Sequence, residues 1–250
     1  MQTNDQKEKS PMSGTQLKNP SKSTRTERTK KIAVLAMLSA IAVVVALVVR
    51  VPVFPAAPFL NIDPKDVVIV IGGFLYGPFA AMAMAVTVAV IEMPISGTGI
   101  YGAIMNALSS SVFACTAAFI YKKWRTISGA SIGLTVGVLV TVPVMLLWNY
   151  LIVPIYMFPP DEVAAGRAMI TGMLVPIFLP FNLLKYGLSA AITMLLYKPI
   201  RIALDKSGLL TISDEVKANS SRRIYLGVLI ISIFIVITCI LFILSYQGVI

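Results

Sequence analysis

The chain has 250 residues, of which 57% are hydrophobic and 13% charged, and it carries a formal net charge of +10. Soluble domains contain about half apolar and about a quarter charged residues, so this composition indicates an integral membrane protein and excludes an ordinary soluble domain. Histidine is absent, no P-loop motif occurs, and the two cysteines lie alone in apolar runs. These absences exclude histidine-based catalysis and the common zinc motifs, and they argue against P-loop ATP hydrolysis and a disulfide framework.

The polar segment 1–31 is rich in Ser, Thr, Lys and Arg, and it is predicted to be a disordered basic cytoplasmic tail rather than a signal peptide. Six predicted helices follow, because apolar runs of about 20 residues can cross a bilayer and these runs lack the alternation of barrel strands. They lie at 32–49, 64–77, 78–95, 99–121, 130–157, and from between 170 and 180 to 204. Asp63 is the expected N-cap of the second helix, which is too short for a full crossing.

After the sixth helix, a polar stretch at 205–223 is predicted to be a cytoplasmic linker, and 224–246 a further transmembrane helix. The predicted fold class is therefore an all-α integral membrane protein, with a six-helix substrate-binding domain at 32–204 and one extra C-terminal transmembrane helix. The connection between the fifth and sixth helices is predicted to include 158–167, "FPPDEVAAGR".

Lysine and arginine are unevenly distributed between the two sets of connections. They concentrate in the tail and at 121–128 and 198–223, whereas the opposite connections hold only Arg50, Lys65 and Arg167. Because cytoplasmic loops carry the excess of positive charge, the N-terminus is predicted to be cytoplasmic and the C-terminus extracellular. The asymmetry explains most of the net charge, so no nucleic-acid partner is predicted.

Three polar side chains fall inside apolar sequence at the same predicted depth, in the extracellular half of the bilayer. Asn149 lies on the fifth predicted helix, and Asn182 and Lys185 lie on one face of the sixth. An unpaired charge at such a depth costs several kcal/mol, so these groups need partners. Amide and ammonium groups suit the polar edge of a flat heterocycle and not a metal ion. The sequence therefore predicts a small-molecule pocket beneath the Pro-rich segment 50–63.

Asn106, Tyr101 and Glu92 lie at a similar predicted depth, but each has a simpler interpretation. Asn106 could make an interhelical hydrogen bond, Tyr101 could anchor the chain at the membrane interface, and Glu92 could be solvated at a helix end. Lys185 could itself extend to the lipid headgroups.

Ala36 and Ala40 form a small-xxx-small pair on the first predicted helix, a pattern that lets another helix approach closely. Without further information, packing inside the bundle is the simpler interpretation of this pair.

Four stretches of the chain resemble one protein family. They are "AMLSA" in the first helix, "FLNIDPKDVVIVIGGFLYGP" leading into the second, "WNYLIVPIY" in the fifth and "LPFNLLKYGLSAAI" in the sixth. The chain resembles, over about residues 30–204, the substrate-binding S components of energy-coupling-factor (ECF) vitamin transporters, and most closely their riboflavin-specific members.

The resemblance implies a non-enzymatic membrane subunit that captures riboflavin outside the cell, with the 50–63 segment closing over the pocket. It implies that Asn149, Asn182 and Lys185 bind the flavin and, more loosely, that Leu60 contacts it. Asn106 and Tyr101 complete the predicted substrate-binding set. No resident cofactor or metal is predicted, because riboflavin is the transported substrate.

The resemblance also implies partners. Ala36 and Ala40 match the family motif that docks on a membrane-embedded coupling subunit of the EcfT type, and two ATPase subunits on other chains would hydrolyse ATP. The helix at 224–246 has no counterpart in the six-helix pattern, and it could cover the surface that the coupling subunit needs.

Several alternatives remain open at the level of sequence. The same scaffold could bind FMN or another vitamin, although a phosphate usually binds arginine or several cations and the predicted pocket offers one lysine. A self-sufficient secondary transporter is a second alternative, but no inverted repeat is evident. A membrane enzyme is a third alternative, but it would need a His, a paired Glu or a metal cluster within the bilayer, and none is evident in the sequence. A purely structural subunit is the fourth, and ligand binding would distinguish it.

Overall fold

The computed structural model describes residues 20–54, 57, 60–97, 99–206 and 222–246. Within these ranges the helices are α1 Pro20–Val48, α2 Lys65–Tyr76, α3 Pro78–Glu92, α4 Gly99–Lys123, α5 Ile127–Met157, α6 Val163–Met173, α7 Leu179–Lys206 and α8 Arg222–Tyr246. The all-α membrane fold predicted from the sequence is confirmed, including the additional C-terminal helix.

Five helical stretches of the described chain are long and apolar enough to cross a membrane. They are Glu27–Val48, Gly99–Lys123, Ile127–Met157, Val163–Ile200 and Leu226–Ser245. At about 1.5 Å per residue, the 12 residues of α2 and the 15 of α3 each rise only about 18–23 Å. The sequence predicted that α2 is short, but it placed the end of α3 at residue 95 instead of Glu92. Both helices therefore end inside the thickness of the bundle.

Helix α1 begins at Pro20, so the predicted disorder of residues 20–31 is wrong. Adding residues to an existing helix costs much less than nucleating one, and Lys, Arg and Glu are good helix formers, so the apolar helix extends backwards into the charged segment. Residues 1–19 of the predicted tail and 207–221 of the predicted linker lie outside the described residues.

The connection between α5 and α6 is shorter than the sequence predicts. Helix α6 begins at Val163, within the stretch that was predicted to be a loop, and it runs through a π-helical turn, Leu174–Phe178, into α7. Pro176 sits in this turn and has no N–H to donate, so the wider turn passes it without ending the helix. The predicted sixth helix is the second half of a longer helical element.

Helix α2 lies at the centre of the bundle, where it contacts α1, α3, α4 and α7, and α4 packs against both α3 and α5. The backbones of α4 and α5 approach closely, because a Cβ on Gly133 would lie 2.7 Å from the carbonyl oxygen of Ala117. Helix α8 packs mainly against α7 and also contacts α5.

The described residues of the 50–63 segment are folded onto the bundle. Its two short strands, β1 Val51–Pro52 and β2 Asn61–Ile62, pair antiparallel and close the segment on itself. Its apolar side chains join residues of α5, α6, the π-helical turn and α7 in a buried group that we term the segment cluster: Val53, Phe54, Ala57, Leu60, Ile62, Val153, Ile170, Phe178 and Phe181. Burial of this cluster holds the segment over the ends of the helices.

Candidate ligand-binding site

A cavity of about 100 Å³ lies beneath the 50–63 segment, between α4, α5 and α7. Five of the six residues predicted to bind substrate line it: Leu60, Asn106, Asn149, Asn182 and Lys185. Tyr101 lies outside the cavity wall, but its ring stacks on that of Tyr156, which lines the cavity, with the ring centroids 5.9 Å apart. The structure thus brings the predicted polar residues of three helices to one place, while their role in binding stays a prediction.

The two buried asparagines are oriented in the same way. The Nδ2 atom of Asn149 donates to the Met145 carbonyl, and that of Asn182 donates to the Phe178 carbonyl, each at 2.7 Å. Each bond fixes the amide against its own helix and still leaves an oxygen acceptor and a second N–H donor. Both asparagines can therefore offer a donor and an acceptor to a ligand.

Lys185 is buried and ion-paired. Its Nζ atom lies 3.5 Å from Asp63 Oδ2, and both side chains are only 6% exposed. The alternative in which this lysine extends to the headgroups is wrong, because the partner that its charge requires lies within the bundle, at the end of the 50–63 segment.

A second buried lysine continues the same network. The Nζ atom of Lys65 lies 3.7 Å from Asp63 Oδ2 and 2.5 Å from Glu92 Oε2. The sequence suggested that Glu92 is solvated at a helix end, and this is wrong, because Glu92 is fully buried against Lys65. The paired side chains form a continuous series of alternating charges, which we term the ion chain: Glu92, Lys65, Asp63 and Lys185.

The predicted capping role of Asp63 is also wrong. The N-cap position of α2 is Pro64, and no side chain caps the helix there. Burial alone would raise the pKa of Asp63, but the ammonium groups of Lys185 and Lys65 and the guanidinium of Arg50 lower that pKa below its ordinary value. Asp63 is thus the ionised centre of the ion chain and not a helix cap.

The sequence analysis missed most of the ion chain, although the sequence contains a signal for it. The charges of Asp63, Lys65 and Asp66 fall within four residues, at the start of a helix that carries no further charge. Asp66 is buried as well, and its Oδ1 atom accepts a hydrogen bond of 2.5 Å from Ser110 Oγ on α4. Charges that enter an apolar bundle need partners there, which could have placed these residues inside the protein.

Aromatic side chains that the sequence did not single out form much of the apolar wall. Tyr156, Phe181 and Tyr186 line the cavity, and the Phe181 ring meets Phe54 of the 50–63 segment edge to face, with centroids 6.4 Å apart. Ligand pockets usually enclose at least about 300 Å³, so a vitamin-sized molecule needs these side chains or the segment to move outwards.

Ala36 and Ala40 are exposed on the outer face of α1. The interpretation that they pack inside the bundle is therefore wrong. Helix α1 packs against α2 and α3, whereas α8 packs against α7 and α5 on other elements of the bundle. Within the described residues, α8 therefore leaves the alanine face open.

Comparison with known proteins gives concordant matches. A family model described as "ECF transporter, substrate-specific component" matches residues 30–197. The riboflavin transporter FmnP of Bacillus subtilis is 31% identical over 137 residues, which cover 53% of this chain and 72% of FmnP. The riboflavin transporter RibU of Staphylococcus aureus is 28% identical over 151 residues, which cover 59% of this chain and 77% of RibU.

The fold is similar to that of a solved S component of a bacterial ECF transporter. The TM-score is 0.59 at 25% sequence identity, and the match covers 71% of this chain and 98% of the solved one. Helix α8 begins after the last residue of the family match. The cavity and the ion chain both lie within the matched region.

Proposed function

The chain belongs to the family of ECF transporter substrate-specific components, and from this premise we propose that riboflavin is the substrate it captures. Members of this family are substrate-binding subunits of multi-pass membrane transporters and not enzymes, and they work with a coupling subunit and ATPases. The observation that carries the riboflavin proposal is the cavity in which Asn149, Asn182 and Lys185 face an aromatic wall. The two relatives named riboflavin transporters support it.

The chemistry of the cavity fits a flavin. An isoalloxazine ring is flat and apolar on its faces, and its pyrimidine edge carries two carbonyl acceptors and a ring N–H. The free donors of Asn149, Asn182 and Lys185 can bond the carbonyls, and either amide oxygen can accept from the ring N–H. The rings of Tyr156, Phe181 and Tyr186 can pack against the faces.

The charge of the cavity favours riboflavin over its phosphate ester FMN. Lys185 is the one cationic residue among those that line the described cavity, and Asp63 already balances its charge. A phosphate usually binds where arginine or several cations are free to contact it. A cavity without net positive charge therefore suits an uncharged ligand.

The transport cycle that we propose follows from the orientation expected from the lysine and arginine distribution. With the N-terminus in the cytoplasm, the 50–63 segment and the cavity face the outside of the cell, where riboflavin enters. The exposed Ala36 and Ala40 face would then dock on an EcfT-type coupling subunit, and two ATPase subunits would supply the energy. The chain's lack of a P-loop motif agrees with this division of labour.

The test is to purify the protein in detergent, record its visible flavin absorption, and titrate it with riboflavin and with FMN while following fluorescence quenching. We expect co-purified flavin or tight quenching by riboflavin, and at least about tenfold weaker binding of FMN, which corresponds to about 1.4 kcal/mol. A protein that binds neither flavin would contradict the substrate while leaving the family intact. Equal affinity for both would contradict the charge argument alone.

A further inference from the structure

The 50–63 segment is tied to the ligand cavity by an ion pair that no other described part of the segment duplicates. Asp63 is the last residue of the segment, and Lys185 lies on α7, in the cavity wall. We propose that Asp63 is a positioning residue for substrate: its carboxylate holds the Lys185 ammonium group in the cavity wall and thereby links the 50–63 segment to the ligand. This inference rests on the proposed function, because Lys185 is its proposed contact with riboflavin.

Lys185 needs such a partner in order to present a defined donor. A lysine side chain has a flexible four-carbon stem with high rotamer entropy, so an unrestrained ammonium group would occupy many positions. Pairing with Asp63 at 3.5 Å restrains it, and an ammonium group has three N–H donors, so two remain for a ligand. Asp63 thus acts on the substrate through Lys185.

Asp63 is itself held in place from both sides. The pairing of Asn61–Ile62 with Val51–Pro52 fixes the backbone just before it, and Pro64 restricts the backbone just after it. On the far side, Lys65 lies 3.7 Å from the same carboxylate oxygen and is anchored to Glu92. The position of the Lys185 ammonium group is therefore set by a fixed residue of the segment.

The ion pair also makes the cavity sensitive to the position of the segment. If the segment lifts, Asp63 leaves Lys185, and a buried ammonium group then loses its counter-charge. A ligand bound to Lys185 favours the position in which the pair is intact, since both interactions need the ammonium group in one place. Asp63 Oδ1 is buried and accepts no hydrogen bond within the described structure, so its hold on Lys185 goes through Oδ2 alone.

The test is a double-mutant cycle on the full-length protein, with Asp63→Asn, Lys185→Gln and the two combined, read by riboflavin fluorescence quenching. We expect each single variant to weaken binding about tenfold or more, and the double variant to match Lys185→Gln within about twofold, because Asp63 acts only through Lys185. Asp161→Asn, at an exposed carboxylate of the α5–α6 connection, is the matched control and should bind as the wild type does.

The same cycle is repeated without ligand, with the thermal unfolding midpoint as the readout. Each single variant removes one member of the Asp63–Lys185 pair and keeps the other, whereas the double variant removes both. We expect the double variant to unfold at a higher temperature than the midpoint obtained by adding the shifts of the two single variants. Additive effects in both readouts, or an Asp63→Asn variant with wild-type affinity, would overturn the proposal. If Asp63→Asn does not fold, the comparison of Lys185→Gln with the double variant still decides. A wild type that ignores riboflavin contradicts the substrate, and the unfolding cycle then decides the role of Asp63 separately.

Discussion

The Nζ atom of Lys65 lies 2.5 Å from Oε2 of Glu92, and this contact joins the first residue of α2 to the last residue of α3. Their side chains are only 2% and 1% exposed, respectively. Because neither helix is long enough to cross the bilayer, their ends meet inside the bundle, and the pair neutralises two charges that would otherwise be stranded there. The short helices and the ion chain are thus parts of one arrangement.

Glu92→Gln should destabilise the protein, because it leaves Lys65 buried beside a neutral amide. Breaking one side of a buried ion pair costs about 3–5 kcal/mol. We expect a lower unfolding midpoint in detergent by differential scanning fluorimetry, and weaker riboflavin binding, since Lys65 can then move towards Asp63 and compete with Lys185. Glu162→Gln, at an exposed position before α6, is the control and should not change the midpoint. An unchanged midpoint in Glu92→Gln would show that the pair contributes nothing to stability.

Asn149→Ala and Asn182→Ala should weaken riboflavin binding without unfolding the bundle. Each removes an amide that is held by its own helix and faces the cavity, so the loss is one or two hydrogen bonds to the ligand, about tenfold in affinity. Lys185→Ala should cost more, because a bond from a charged donor is stronger. The measurement is a fluorescence titration of purified protein.

The control for these variants is Leu183→Ala. Leu183 lies between Asn182 and Lys185 in the chain, but its side chain is 45% exposed on the outer side of α7. Leu183→Ala truncates a side chain in the same helical turn that points away from the cavity, so the affinity for riboflavin should not change. Wild-type affinity in all three cavity variants would remove the ligand assignment from this cavity.

The sequence predicts the polar wall of the cavity well, because helical geometry alone places Asn182 and Lys185 on one face. It fails for the ion chain, because Asp63 lies just before α2 and Lys65 is its first residue, where charges resemble ordinary capping and first-turn charges. Their burial depends on how the 50–63 segment folds back, which is a tertiary feature with no local pattern. Helix α6 was missed for a related reason: the local polarity of 158–167 gives no sign that a helix starts at Val163.

Phe54→Ala should speed the release of riboflavin. Phe54 is buried in the segment cluster and contacts the Phe181 ring, so its removal weakens the packing of the 50–63 segment over the cavity. Truncating a buried Phe costs about 3–5 kcal/mol of stability. Part of this loss destabilises the closed position of the 50–63 segment relative to the open one. We expect dissociation, followed by recovery of flavin fluorescence after dilution, to be about tenfold faster or more. Phe79→Ala, at an 81% exposed position on α3, should release riboflavin at the wild-type rate.

Ala36→Trp and Ala40→Trp should prevent docking on a coupling subunit while sparing riboflavin binding. Both alanines are exposed on α1, and small residues at this spacing let a partner helix approach closely, which a tryptophan prevents. The cavity lies under the 50–63 segment and is lined by no residue of α1, so affinity for the ligand should not change. The measurement is co-purification of tagged variants with co-expressed coupling and ATPase subunits, alongside a riboflavin titration.

Leu139→Trp is the matched control, because Leu139 is 64% exposed on α5, away from the alanine face. It places the same bulk on another lipid-facing surface and should co-purify normally. Equal loss of the partner in all three variants would indicate a general defect of insertion. Normal co-purification of both alanine variants would place the docking surface elsewhere, with the exposed face of α8 as the next surface to test, since that helix lies outside the family match.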